Sequence, residues 1–144
     1  MPSKDIFSIK PPTSQEKIIF LKILTKLAGL DNRVDECEKK FITDTAVMLG
    51  ISTADINDIS ADISEDEIVS LAKKITNRHL AMLILREAFL IANADDDLSD
   101  KEIAFIGKVG EAMGITPEKT EQISQWVLDY LILQEQSKIV FEQP

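Results

Sequence analysis

The sequence has little of the chemistry that builds the commonest metal and catalytic centres. It contains one cysteine, Cys37, and one histidine, His79, among 144 residues. A single cysteine excludes an internal disulfide and any cysteine-cluster zinc or iron–sulfur site, and a single histidine excludes histidine-rich metal sites. No nucleophile or cofactor motif surrounds either residue. An enzyme is therefore not expected, and a carboxylate-dependent hydrolase is the least favoured class of function.

Basic residues are scarce as well. The 16 lysines and arginines face 25 aspartates and glutamates, which gives a formal net charge of −9. Because contacts to a phosphate backbone need a basic surface, a nucleic-acid partner is excluded. The N-terminal residues MPSKDIFSIKPP lack the apolar segment of a signal peptide. We therefore expect a cytoplasmic protein.

The longest apolar segment, Leu80–Ala94, is too short to span a membrane. Arg86 and Glu87 interrupt it, so a buried helix with these two residues on its solvent edge is predicted. No direct membrane insertion is expected.

The length fits one domain, and the apolar spacing predicts an all-α fold. Capping boxes, in which a Ser or Thr and a Glu three residues later satisfy the first backbone N–H groups, mark helix starts at Thr13 and Ser99. Gly50 and Gly114 are typical helix terminators. Together such signals predict about seven helices, starting near residues 13, 35, 53, 64, 77, 99 and 116, with the third over Thr53–Ile59 and the seventh ending near Gln136.

These helices define the expected domain organisation. Residues 1–13 form an N-terminal extension, residues 14–136 the helical domain and residues 137–144 a C-terminal tail. The tail contains Ile139, Val140 and Phe141, which need cover from the domain or from another protomer. A homo-oligomer is therefore one of the open alternatives.

The two halves of the chain align when one is shifted by 64 residues. Residues 28–59 and 92–123 share an A-x-x-D-x-x-[VL]-x-x-x-E-x-x-x-I pattern followed by Gly-Ile. Each unit, over about 18–59 and 82–123, predicts a helix, a short acidic turn and a second helix. Since one unit cannot bury its apolar stripe alone, we expect two pseudo-repeated units packed as a bundle.

Carboxylates crowd the two repeat-related turns. Hard cations such as Ca²⁺ or Mg²⁺ bind oxygen ligands and would relieve the repulsion between them. Helix capping and Asx-type turns explain the same residues without a metal, so both interpretations stay open. The first turn holds four acids and the second holds five, which are Asp31, Asp35, Glu36 and Glu38, and Asp95, Asp96, Asp97, Asp100 and Glu102.

The second turn with its flanks, REAFLIANADDDLSDKEIAFIGKVGEAMGI, resembles the TerB-like tellurite-resistance domain. That family has an A-x-A-D-G-x-[IVL]-[ST]-x-x-E turn that occurs twice, and KLAGLDNRVDECEKKFITDTAVMLGI resembles the partner copy. Asn32 and Asp96 replace the glycine of the pattern. Both residue types tolerate a left-handed backbone, so the turn can survive the replacement.

The resemblance implies about seven helices, no catalysis and no organic cofactor. It also implies Ca²⁺ or Mg²⁺ binding at the acidic turns, and the candidate metal ligands that it carries over are Asp31, Glu38, Asp95 and Glu102, with Asp35 and Asp97 next to them. It further implies a role in stress-response assemblies, including some near the inner face of the membrane. Related domains occur beside J-domains in membrane-anchored co-chaperones.

Two further features point to protein partners. Trp126 and Tyr130 lie one helical turn apart on the last predicted helix and either pack in the core or form a partner-binding patch. We assign them as candidate partner-binding residues. The segment Asp55–Glu67 contains six acids and no base, so a metal-free acidic adaptor is the alternative function.

Overall fold

The computed structural model describes residues 11–30, 36–52, 63–93 and 99–142, with the backbone alone for residues 36–38. These residues form six α-helices and no strand, which confirms the all-α prediction for the described parts of the chain. The predicted helix over Thr53–Ile59 lies outside them. The helices are α1 (Ser14–Ala28), α2 (Glu36–Met48), α3 (Glu65–Ala72), α4 (Arg78–Ala92), α5 (Asp100–Ala112) and α6 (Pro117–Glu142).

Capping residues begin the helices where the sequence predicts. Before α1, the Thr13 hydroxyl accepts from the Glu16 N–H at 3.1 Å, and the Glu16 carboxylate accepts from the Thr13 N–H at 2.9 Å. Ser99 and Glu102 make the same reciprocal pair before α5. Asn77 caps α4 through its side-chain oxygen. Each cap satisfies N–H groups that have no partner inside the helix.

Two glycines end α2 and α5 in the same way. Gly50 and Gly114 have φ of 73° and 81°, in the left-handed region that side chains disfavour. The N–H of the following isoleucine, Ile51 or Ile115, donates across the helix end to the carbonyl five residues earlier. This is the Schellman arrangement, and it confirms both predicted helix ends.

The core lies between α1 and α4, with the other helices packed around them. Helix α1 contacts α2, α3, α4 and α5, while α4 also contacts α5 and α6. The fully buried large side chains include Phe20, Leu24, Ile84, Leu85 and Phe105. Burial of such side chains contributes about 1.5–3 kcal/mol each and is the main force that holds the helices together.

The boundaries of four helices correspond at the predicted shift. Helix α1 shifted by 64 residues covers α4, and α2 shifted by 64 residues covers α5. Packing of these pairs as two units related by a pseudo-twofold axis remains a prediction.

The last helix is longer than predicted. Helix α6 continues past Gln136 to Glu142, so Ile139, Val140 and Phe141 are helical. These three consecutive apolar residues continue no core-facing helical pattern, and the sequence therefore predicts an unpatterned tail there. No glycine or proline interrupts residues 118–142, however, and nothing else in that segment stops a helix.

Candidate functional site

A groove lies between α4 and α6. It has a volume of about 240 Å³ and is lined mostly by apolar atoms. Its walls are His79, Met82, Leu83 and Arg86 from α4, and Ile123 and Trp126 from α6. Positions 79, 82, 83 and 86 follow the i, i+3, i+4, i+7 spacing of one helix face. The groove is therefore built by two adjacent helix faces.

Trp126 lines this groove because of the way α6 packs against the core. Val127 is fully buried, and Ile123 and Leu131 pack against the core one turn before and after it. Trp126 precedes Val127 and so falls at the edge of the helix interface, where it is 52 % exposed. The side chain covers the α4 face without entering the core.

Tyr130 extends the aromatic surface by one turn. Its ring stacks on the Trp126 ring with 5.4 Å between centroids and 5° between planes. Tyr130 is 38 % exposed, and its hydroxyl bonds the Gln134 side-chain amide at 2.8 Å. Stacked, partly solvated aromatic rings offer a rigid apolar face with a polar edge. The prediction that Trp126 and Tyr130 pack in the core is therefore wrong.

Arg86, which lines the groove, pairs with its sequence neighbour Glu87. The Arg86 guanidinium donates from Nε and Nη2 to Oε1 of Glu87, at 3.2 Å and 2.8 Å. Glu87 is only 8 % exposed, so its predicted place on the solvent edge is wrong. The carboxylate is buried because the guanidinium next to it provides the partner that a buried charge requires. Arg86 is thereby held against the groove.

His79 is exposed and lines the groove. Sequence analysis missed the groove because its residues come from two helices. The one signal in the sequence was that Trp126 directly precedes Val127, which places Trp126 at the edge of the helix face that Val127 buries. The side chain of Cys37 lies outside the described residues.

A second, more polar groove runs between α5 and α6. It has a volume of about 530 Å³ and is lined by residues such as Ile103, Lys108, Glu111 and Glu121. Its walls mix both signs of charge with apolar atoms. It offers no comparable aromatic anchor, and we use Ile103 from this surface as a comparison position.

Of the six predicted metal ligands, Glu102 is the one whose side chain belongs to the described residues. Asp31, Asp35, Asp95 and Asp97 lie outside the described residues, as does the Glu38 side chain. Glu102 is described: it is 4 % exposed, and its Oε1 accepts the Ser99 N–H at 3.1 Å. Within the described ranges, no three His, Cys, Asp or Glu side chains group as a cation site would require. The described residues thus explain Glu102 by capping and do not by themselves assemble a metal centre.

Within the described residues, no helix combines the length and the apolar character needed to cross a membrane.

Comparisons with known proteins agree with the helical architecture. Residues 60–125 match the family model described as tellurite resistance protein TerB. This segment includes α3, α4, α5 and the second acidic turn, so the predicted TerB-like resemblance is confirmed over it.

One solved structure with the same fold is the crystal structure of a tellurite resistance protein from Nostoc punctiforme. It aligns with a TM-score of 0.65 over 96 % of this chain and 89 % of that chain, at 22 % sequence identity. No curated protein matches at a significant level.

Proposed function

We propose that this chain is a non-enzymatic TerB-like domain that serves as a protein-interaction module in tellurite or stress resistance. It works in the cytoplasm, and a partner protein provides any link to a membrane-associated complex. The match to the TerB family and the name of the Nostoc relative support the biological setting. The groove under Trp126 is the observation that carries the interaction role.

The chemistry of the groove favours a protein segment as its occupant. The apolar lining fits an apolar side chain, and half-exposed tryptophan is among the residues most enriched at interface hot spots. Arg86, with its side chain 34 % exposed, lies beside that apolar surface in a protein that is otherwise strongly acidic. We therefore infer a partner segment that inserts an apolar side chain and places a carboxylate near Arg86.

Growth on tellurite tests this proposal. A host that lacks its own copy is complemented with the wild-type chain, Trp126→Ala or His79→Glu, and the tolerated tellurite concentration is measured. Both variants should lose most of the protection while keeping wild-type helix content and expression level. Ile103→Ala is the matched control, because it truncates a 46 % exposed side chain outside the groove. Full protection by both groove variants would contradict the proposal.

Weak binding of Ca²⁺ or Mg²⁺ at the acidic turns is the second component of the proposal. It rests on the duplicated carboxylates of the sequence and implies affinity in the millimolar range. Glu102→Gln separates metal binding from capping, because glutamine still offers an oxygen to the Ser99 N–H but carries no charge. Calorimetric titration should show weaker cation binding with unchanged thermal stability. The absence of any heat or NMR shift at millimolar cation would remove this component.

The alternative function is a metal-free adaptor that uses its acidic surface. The described part of that surface is the first turn of α3, where Asp66 and Glu67 are exposed. Three consecutive acids, Glu65–Glu67, begin this helix and suit a basic partner. A partner complex that survives chelator and is lost on reversing these charges, but persists with Trp126→Ala, would favour this alternative.

A further inference from the structure

The C-terminal end of α6 is apolar and uncovered. Ile132, Leu133, Ile139, Val140 and Phe141 are between 56 % and 83 % exposed. Upstream, Val127 and Leu131 provide the contact of α6 with the core. Beyond Leu131 the helix carries large hydrophobic side chains that the described core does not bury.

These side chains follow a seven-residue repeat. The Ile132–Leu133 pair recurs as Ile139–Val140, with Gln136 between them. At about 100° per residue, the two pairs lie on the side of α6 opposite to Val127. An apolar stripe with a seven-residue period is typical of a helix that packs along another helix.

The amount of surface fits a weak self-association. With areas of roughly 170 Å² per aliphatic side chain, at the lower end of the range of aromatic ones, the exposed fractions of Ile132, Leu133, Ile139 and Val140 correspond to about 400 Å² of apolar surface per protomer. A standard interface buries about 800 Å² per partner, and smaller ones are transient. A stripe of this size exceeds the scattered exposed hydrophobic residues that need no explanation.

The charge distribution favours a second copy of this chain as the partner of the stripe, and it favours an antiparallel orientation. In a chain of net charge −9, the four stripe residues and Gln136 are uncharged, and Glu135 at the edge of the stripe is paired with Lys138 at 3.5 Å, so two copies meet there with little repulsion. Asp129 lies on the same face one turn earlier. A parallel pair would oppose Asp129 with its own copy and bring both acidic domains to one end. An antiparallel pair separates the two Asp129 side chains and places the two acidic domains at opposite ends.

We propose that α6 pairs antiparallel with α6 of a second copy of this chain, about a twofold axis near Gln136. Leu133 then faces Ile139 of the other copy, and Ile132 faces Val140. The two Gln136 amides meet at the axis and satisfy each other. This surface is separate from the α4/α6 groove, so the proposed pairing does not depend on whether the groove binds a partner.

Sedimentation of the full chain tests the pairing. The weight-average mass should rise from the 16.1 kDa of one chain towards twice that value as the concentration increases from about 1 µM to about 500 µM. The double variant Leu133→Glu/Val140→Glu should stay monomeric throughout with unchanged helix content. Val47→Glu/Met48→Glu on α2 is the control, because it places charges at comparably exposed apolar positions and should still dimerise.

Disulfide cross-linking tests the direction. In a Cys37→Ser background, a mixture of Ile132→Cys and Val140→Cys chains should cross-link more than either variant alone. Efficient cross-linking of each variant to itself would overturn the antiparallel arrangement. A wild-type chain that is monomeric at every concentration, or that is monomeric and cosediments with phosphatidylcholine vesicles, would overturn the pairing altogether.

Discussion

Arg86 donates from both Nε and Nη2 to a single oxygen of Glu87, the next residue in the chain. Consecutive residues on a helix point about 100° apart and do not ordinarily face each other. The guanidinium therefore bends around α4 to reach a carboxylate that is almost completely buried. This pair connects the edge of the core to the wall of the groove, and it positions Arg86 beside Trp126.

Removing the buried carboxylate should destabilise the protein. Glu87→Ala deletes a buried side chain and leaves the guanidinium without its partner, which should lower the free energy of unfolding by about 1–3 kcal/mol. Lys138→Ala is the matched control, since its pair with Glu135 at 3.5 Å is well exposed. The control should change stability by less than about 0.5 kcal/mol. Urea unfolding of both variants measures the difference, and equal effects would contradict the structural role of Glu87.

The capping boxes should contribute measurably to stability. Ser99→Ala removes the oxygen that accepts the Glu102 N–H at 3.2 Å, and it should cost about 1 kcal/mol. Glu102→Gln keeps an acceptor for the Ser99 N–H and should cost much less than Glu102→Ala. Thermal unfolding distinguishes the three variants. A Glu102→Gln variant as unstable as Glu102→Ala would show that the negative charge matters beyond capping.

Two glycines on α5 should respond oppositely to substitution. A Cβ on Gly107 would meet nothing within 4 Å, so Gly107→Ala should stabilise the helix by about 0.5–1 kcal/mol. A Cβ on Gly110 would lie 3.1 Å from the Thr120 hydroxyl and 3.4 Å from Leu85. Gly110→Val should force α5 away from α4 and α6 and cost about 1–3 kcal/mol. The free energy of unfolding, measured by chemical denaturation, should therefore rise for Gly107→Ala and fall for Gly110→Val.

Local signals predicted the helices well because their causes are local. Thr13, Asn77 and Ser99 begin helices, and Gly50 and Gly114 end them, through hydrogen bonds to residues only a few positions away. The sequence patterns contain the same short separations. The end of α6 was missed because beyond Leu131 the large apolar residues lie on the face opposite to the core, so the core-facing pattern stops although the helix continues.

The groove could be predicted only in part because it depends on contacts between helices. The spacing of Trp126, Val127 and Tyr130 allows more than one face of α6 to enter the core. Packing against α4 buries Val127 and leaves the aromatic pair at the edge. The burial of Glu87 was missed for a related reason. Its partner is a sequence neighbour, and helical spacing gives no sign that such neighbours pair.

Position-specific photo-cross-linking in tellurite-treated cells tests the interaction groove most directly. A photoreactive amino acid is placed at Met82 in the groove and, separately, at Val47 on the exposed surface of α2. We predict one reproducible protein adduct at Met82 that is absent at Val47 and disappears when Trp126→Ala is added. The same adducts at both positions, or an adduct at Met82 that persists with Trp126→Ala, would contradict the claim that this groove binds a protein partner.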